Sequence, residues 1–300
     1  MTVTVPATLY EQFCAQHRLP MDFRKIAEYW YEPLAKSLLK HQNSAGKTLL
    51  VGVNGCQGSG KSTLTDFLVT VFDQVYGLRA ISLSLDDFYL SRESRQVLAE
   101  QVHPLLATRG VPGTHNVDRM SLTVKELSNA GYRVAIPRFN KATDNPFPPE
   151  QWPVVDGAID ILLVEGWCLG APPQTEEQLL QPVNELEAVE DANGDWRRFV
   201  NLQLARDYQP FFAQLDAWIM LKAPGFDCVY RWRLEQEQKL ASSSPEGTAI
   251  MSEAQIARFI QHYQRLTEQC LSEMPAQMNY LFELDENRQI VAFTEPRTLS

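Results

Sequence analysis

The octapeptide Gly55-Cys56-Gln57-Gly58-Ser59-Gly60-Lys61-Ser62 constrains this chain more than any other stretch. It fits the spacing G-x-x-x-x-G-K-[ST], and its flanks are of the right kind. The run Thr48-Leu49-Leu50-Val51-Gly52-Val53 enters it with the near-continuous apolar character of a strand buried on both faces. From Ser62 onward, Leu64, Phe67, Leu68, Val71 and Phe72 recur at helical spacing. A strand that turns through glycines into a helix leaves successive backbone N–H groups pointing inward beside the positive end of the helix dipole. Such a loop binds phosphate. Lys61 is expected to reach the β and γ phosphates of ATP, and the Ser62 hydroxyl to ligate Mg²⁺. The expected nucleotide-binding set is Gly55, Cys56, Gln57, Gly58, Ser59, Gly60, Lys61, Ser62 and Thr63. Cys56 stands where a helix end would lower a thiol pKa, although a tolerated small side chain is the plainer reading.

Further strands are expected at 79–85, 132–136, 159–164 and 217–221. Strands separated by helical stretches imply parallel pairing through right-handed crossovers. The expected fold is therefore α/β, a P-loop NTPase-type layered architecture with a mainly parallel sheet. Segments 280–284 and 289–293 flank Asp285-Glu286-Asn287-Arg288 as a hairpin. A helix from 253 to about 270 opens with a capping box, Ser252 to Gln255, and carries Ile256, Phe259, Ile260 and Tyr263 on one face. Residues 1–47 read as a helical extension ending in a loop at 41–46, with Ile26, Trp30, Leu34 and Leu38 as an apolar stripe and Pro33 as a kink or break. Residues 48–300 are expected to form one domain, with a helical lid at about 223–250.

Charge and cysteine usage exclude several classes. There are 37 Asp+Glu against 27 Lys+Arg, a net charge of −10, and such a field repels nucleic acid. The five cysteines are scattered and form no CxxC pair, which argues against a disulfide framework or a zinc knuckle and for a reducing cytoplasm. The start MTVTVPATLYEQF lacks the basic and apolar regions of a signal peptide, and the apolar run 159–164 is too short to span a bilayer. A soluble protein without membrane or nucleic-acid partners is expected, acting on a small molecule. Asn140-Lys141-Ala142-Thr143 lacks the aspartate of the guanine-reading N-K-x-D, so a GTPase is not indicated.

A phosphate loop with no motor or transporter signature points to a metabolite kinase. Phosphoryl transfer then calls for a magnesium carboxylate, an acid that orients the acceptor hydroxyl, and cations over the transferred group. Asp86 closes the second strand and is the expected catalytic acid, with Asp87 as the expected cap of the following turn; Glu165 closes the fourth and is expected at the metal with Ser62. Arg231 is the expected catalytic cation beside Lys61, with Arg233 as its alternative. The acceptor is expected among Asp86, Tyr89, Arg109, His115, Arg138 and Lys141, whose cations suit a carboxylate or phosphate. For His115 a turn or cap role is the plainer reading.

Five segments, in this order, resemble the plant- and fungal-type D-glycerate 3-kinases: the phosphate loop, Ser84-Leu85-Asp86-Asp87-Phe88-Tyr89-Leu90, Arg109-Gly110-Val111-Pro112-Gly113-Thr114-His115, Pro137-Arg138-Phe139-Asn140-Lys141, and Val164-Glu165-Gly166-Trp167-Cys168-Leu169-Gly170. Tyr230-Arg231-Trp232-Arg233-Leu234 is similar to that family's lid helix. The resemblance spans roughly 48 to 293 and extends more distantly to uridine kinases, phosphoribulokinases and bacterial-type pantothenate kinases. It implies Asp86 as catalytic aspartate, Glu165 as magnesium-associated acid, and transfer from ATP to D-glycerate to give 3-phosphoglycerate. The chain departs from the family at 142–152, where a Gly-rich G-x-G-D-R stretch is absent. The departure bears on the acceptor and not on the kinase chemistry; a pantothenate-like or nucleoside acceptor is one alternative, and a nucleotide-gated regulatory protein is a second, from a different class.

Overall fold

The computed structural model describes residues 4–243, 251–295 and 297. Among them ten strands form: β1 (Leu49–Gly55), β2 (Ala80–Ser84), β3 (Arg133–Ala135), β4 (Phe139–Asn140), β5 (Asn145–Pro146), β6 (Val154–Asp156), β7 (Ile161–Gly166), β8 (Ala217–Lys222), β9 (Tyr280–Leu284) and β10 (Ile290–Thr294). Six of these join one sheet in the order β10-β9-β8-β1-β7-β2, parallel throughout except for β10, which closes the expected hairpin with β9. The expected layered α/β architecture is present. Parallel strands are covered on both faces, and alternate residues of β7 show it: Ile161 and Leu163 face one core, Leu162 and Val164 the other.

One core joins β1 and β8 to the helix Lys61–Gln74 and to the N-terminal helices. Phe67, fully buried on that helix, lies within 6.0 Å of the rings of Tyr10, Phe13, Phe23 and Tyr31. The N-terminal segment thus braces the helix that carries the phosphate loop. Pro33 does not split its helix. A π-helical turn, Ala27–Tyr31, precedes Glu32–Ala45, and that wider turn accommodates the missing N–H and bulky ring of proline. The extra residue per turn shifts the buried stripe: Ala27 and Tyr31 are buried, while Ile26 and Trp30 are only half-buried. Helix also runs to Ala45 through the stretch that reads as a loop at 41–46.

The expected strand at 132–136 is not part of the sheet. β3 pairs antiparallel with β6 in a separate ribbon, and β4 pairs with β5 in another. Of the three residues of β3 only Val134 is buried, too little apolar surface for an interior strand. The helix Phe226–Ser243 occupies the expected lid; the rest of that lid, 244–250, lies outside the described residues. Among the described residues no helix is long and apolar enough to cross a membrane.

The second core holds two buried histidines. Burial lowers His115 to about 3 and His262 to about 4. Both are neutral when folded, whereas the unfolded chain binds protons near pH 6.5, so stability falls as pH drops through that value. The loss levels off only below the folded pKa. His262→Leu is therefore expected to lose about 2 kcal/mol less stability than the parent between about pH 7.5 and 5. Urea unfolding of each protein at both pH values checks this, and equal losses would contradict it.

Candidate active site

Strand register assembles the site. Glu165 on β7 stands level with Val53 on β1 and Ser84 on β2, so the phosphate loop after β1, Glu165, and Asp86 after β2 share the carboxyl edge of the sheet. Asp86 lies one strand further from the loop than chain order suggests, because β7 intervenes. In the loop, Gly60 has φ +93° and caps the helix Lys61–Gln74, a conformation that favours glycine. At Gly55 a Cβ would fall 2.5 Å from the Ser59 hydroxyl, so the loop folds flat on its own strand only with glycine there.

Two chambers open from this edge. The larger, of about 650 Å³, is lined by Gln57, Gly58, Gly60, Lys61, Ser62 and Thr63 from the loop, and by Ser84, Asp86, Asp87, Lys141, Glu165, Glu235 and Arg288. The smaller, of about 150 Å³, shares Gln57, Lys61, Asp86 and Lys141 and adds Tyr89, Arg109, Trp167, Arg233, Phe259 and Tyr263. Lys61, Asp86 and Lys141 therefore stand where the chambers meet.

Asp86 is held on both oxygens: Tyr89 Oη donates to Oδ1 at 2.7 Å and Lys141 Nζ to Oδ2 at 2.6 Å. Burial alone would raise its carboxyl, but the charge and hydrogen bond of Lys141, with Tyr89 and Lys61, hold it at about 2. Burial and the neighbouring Asp86 charge push the Tyr89 hydroxyl far up, so it stays a donor. Glu165 accepts from Ser62 Oγ at 3.2 Å, and Lys61 Nζ lies 3.7 Å from its other oxygen. A hydroxyl and a carboxylate at the mouth of a phosphate loop are hard oxygen donors of the kind Mg²⁺ takes.

Several expected residues lie elsewhere. Arg231 pairs with Glu286 at 2.8 Å and touches Cys228, while Arg233, on the other side of buried Trp232, lines the smaller chamber. Arg138 is engaged by Asp87 at 2.7 Å and lines neither chamber. Asp87 does not cap the turn Leu85–Phe88; the Ser84 hydroxyl does, freeing Asp87 to hold Arg138 and the Phe139 N–H. His115 is buried behind Tyr89, stacked on it with centroids 4.6 Å apart, and bonded through Nδ1 to Tyr208 Oη at 2.6 Å; it lines neither chamber. Cys56 is packed in the core behind the loop, and burial pushes its thiol up to about 12, outweighing Lys61.

Sequence reading missed four groups. Phe259 and Tyr263 belong to an apolar stripe that reads as plain core, yet they wall the smaller chamber; Tyr263 Oη donates to the Arg109 carbonyl at 3.0 Å. Arg288, from the turn between β9 and β10, reaches the larger chamber, paired with Glu235 at 2.5 Å and lying over Trp232. Asp144, inside the divergent stretch 142–152, grips Arg109 and the fully buried Arg95. That acid steadies the Arg109 head in the chamber wall.

No protein-family model matches the chain. Mug58 of Schizosaccharomyces pombe, named an uncharacterized kinase, is 30% identical over 246 residues, 77% of this chain and 84% of that protein. The chloroplastic D-glycerate 3-kinase of Arabidopsis thaliana is 30% identical over 224 residues, 72% of this chain but only 46% of the plant protein. A solved structure, D-glycerate 3-kinase from Cryptococcus neoformans, superposes with a TM-score of 0.73 at 24% identity, covering 88% of this chain and 98% of that one.

Proposed function

The chain belongs to the D-glycerate 3-kinase family of P-loop kinases, and on that premise we propose that it transfers the γ-phosphoryl group of ATP to the 3-hydroxyl of D-glycerate, releasing ADP and 3-phosphoglycerate. The smaller chamber carries this reading. Its roughly 150 Å³ is well under the ~300–1,000 Å³ of sites for drug-sized ligands. Lys61, Lys141, Arg109 and Arg233 line it against one carboxylate, Asp86. Such a space favours an anion of a few heavy atoms over a nucleoside or a pantothenate-like acceptor.

Lys61 and the loop amides hold the triphosphate in the larger chamber, with Arg233 rather than Arg231 as the lid cation facing the reaction. Ser62 and Glu165 would hold Mg²⁺, whose contribution is to neutralise charge on the phosphate oxygens. As the acceptor oxygen bonds to the γ-phosphorus, the bond to the β–γ bridging oxygen breaks and ADP leaves. Even paired with no cation, a carboxylate such as Asp86 is far too weak a base to strip an alcohol beforehand. It aims the hydroxyl and receives its proton late, as suits a loose phosphoryl transfer. We assign catalysis to residues 48–300, with 1–47 as a helical extension, and a cytoplasmic setting, which five buried free thiols support. The net charge of −10 argues against nucleic-acid partners.

Mass spectrometry of products from ATP, Mg²⁺ and a panel of D-glycerate, L-glycerate, pantothenate and uridine tests the reading, with NMR giving the phosphorylated position. The expected outcome is 3-phosphoglycerate from the D enantiomer. ATP consumption that no acceptor accelerates would contradict it.

A further inference from the structure

The acid assigned to orient the acceptor is already occupied. Tyr89 and Lys141 take one oxygen each, and Lys141 stands at the junction through which the hydroxyl must reach the phosphoryl group. The two partners differ in mobility. Tyr89 is buried and wedged between His115 and Phe139. The Lys141 side chain is 61% exposed, on a flexible stem. Its backbone is tied down on both sides, by the Phe139 N–H on Asp87 and the Ala142 N–H on the Asn140 side chain, so the head can move while the turn stays. The other cations of the chamber have partners apart from Asp86: Lys61 faces Glu165, Arg109 is gripped by Asp144, and Arg233 lies over the Phe259 ring. Among the described residues, the ion pair between Lys141 and Asp86 is the one that covers the acid.

We propose that Lys141 is a charge-operated latch, closed on Asp86 when the acceptor chamber is empty and drawn onto the carboxylate of an incoming hydroxy acid, which uncovers Asp86 for that acid's hydroxyl. The proposal rests on the hydroxy-acid kinase reading above and adds a gate to it. Exchanging one carboxylate for another leaves the lysine with an equivalent partner, so an anionic acceptor opens the latch at little cost. A neutral polyol offers no such partner, and neither does water. The latch thus accounts for two kinds of selectivity at once: preference for an anionic acceptor, and protection of ATP when none is bound.

Lys141→Met keeps the stem and removes the charge. Three rates are measured for the parent and the variant: phosphorylation of D-glycerate, phosphorylation of glycerol, which replaces the carboxylate by CH₂OH, and ATP hydrolysis without acceptor. In the variant, kcat/KM for D-glycerate is expected to fall about 10- to 100-fold through loss of a charged hydrogen bond. Glycerol phosphorylation and acceptor-free hydrolysis are expected to rise, by about fivefold or more, because the acid is no longer covered. Lys141→Arg, which keeps the charge, should leave both of these rates low. If the variant loses glycerate activity with no gain on glycerol and none in hydrolysis, Lys141 merely binds the acceptor and the latch is overturned. A fall in all three rates overturns it too. A parent enzyme inactive on D-glycerate would instead sink the substrate reading, so the two failures are distinct.

Discussion

Lys61→Ala is expected to lower kcat by about a thousandfold or more, because it removes the charge at the meeting point of the two chambers. The side chain is 15% exposed and faces both chambers, with Glu165 as its ion-pair partner. In a loose transition state the protein does little covalent work, so loss of a positioned cation falls almost wholly on turnover. Glycine conformations and the aromatic packing of Phe67 shape the loop, and neither depends on this side chain. The variant should therefore keep the parent's melting temperature within a few degrees. Steady-state ADP production checks the effect; a rate within tenfold of the parent would remove Lys61 from the chemistry. Lys61→Arg should not rescue, since a planar guanidinium does not fit the space of a compact ammonium.

Asp86→Asn is expected to lower kcat by about 10²- to 10⁴-fold while leaving the affinity for ATP nearly unchanged. Asparagine still accepts a hydrogen bond from Tyr89, so the turn keeps its shape, but it neither takes a proton nor holds Lys141 by charge. In the proposed site the nucleotide is held by the loop across the junction, whereas the hydrogen-bond partners of the Asp86 carboxylate are Tyr89 and Lys141. Calorimetric titration with ATP and single-turnover kinetics separate the two effects. Loss of ATP binding in parallel with kcat would contradict the division of labour between the chambers.

Much of this site is legible in the sequence because its parts are local. The loop, its entering strand and its leaving helix are contiguous, and Asp86 and Glu165 are strand ends marked by abrupt apolar-to-acidic boundaries. What escapes are pairings between distant segments. Arg231 and Arg233 lie two positions apart, hence on different sides of one helix, and only the packing of Trp232 and Phe259 decides which side faces the chamber. Arg138 looks like a free cation until Asp87, 51 residues earlier, is brought against it. Phe259 and Tyr263 share the helical period of a core stripe, and periodicity alone does not distinguish a core from a cavity wall. Pro33 signals a disturbed helix, but a π-turn and a break have the same sequence signature.

The central claim is that Asp86 aims an acceptor hydroxyl at a nucleotide held by the phosphate loop. The most direct test is a crystal structure with a non-hydrolysable ATP analogue and D-glycerate. The 3-hydroxyl is expected within about 2.6–3.2 Å of an Asp86 carboxylate oxygen, on the side facing the γ-phosphate. Glycerate bound outside the chamber walled by Tyr89, Arg109 and Tyr263, with Asp86 turned from the nucleotide, would contradict it.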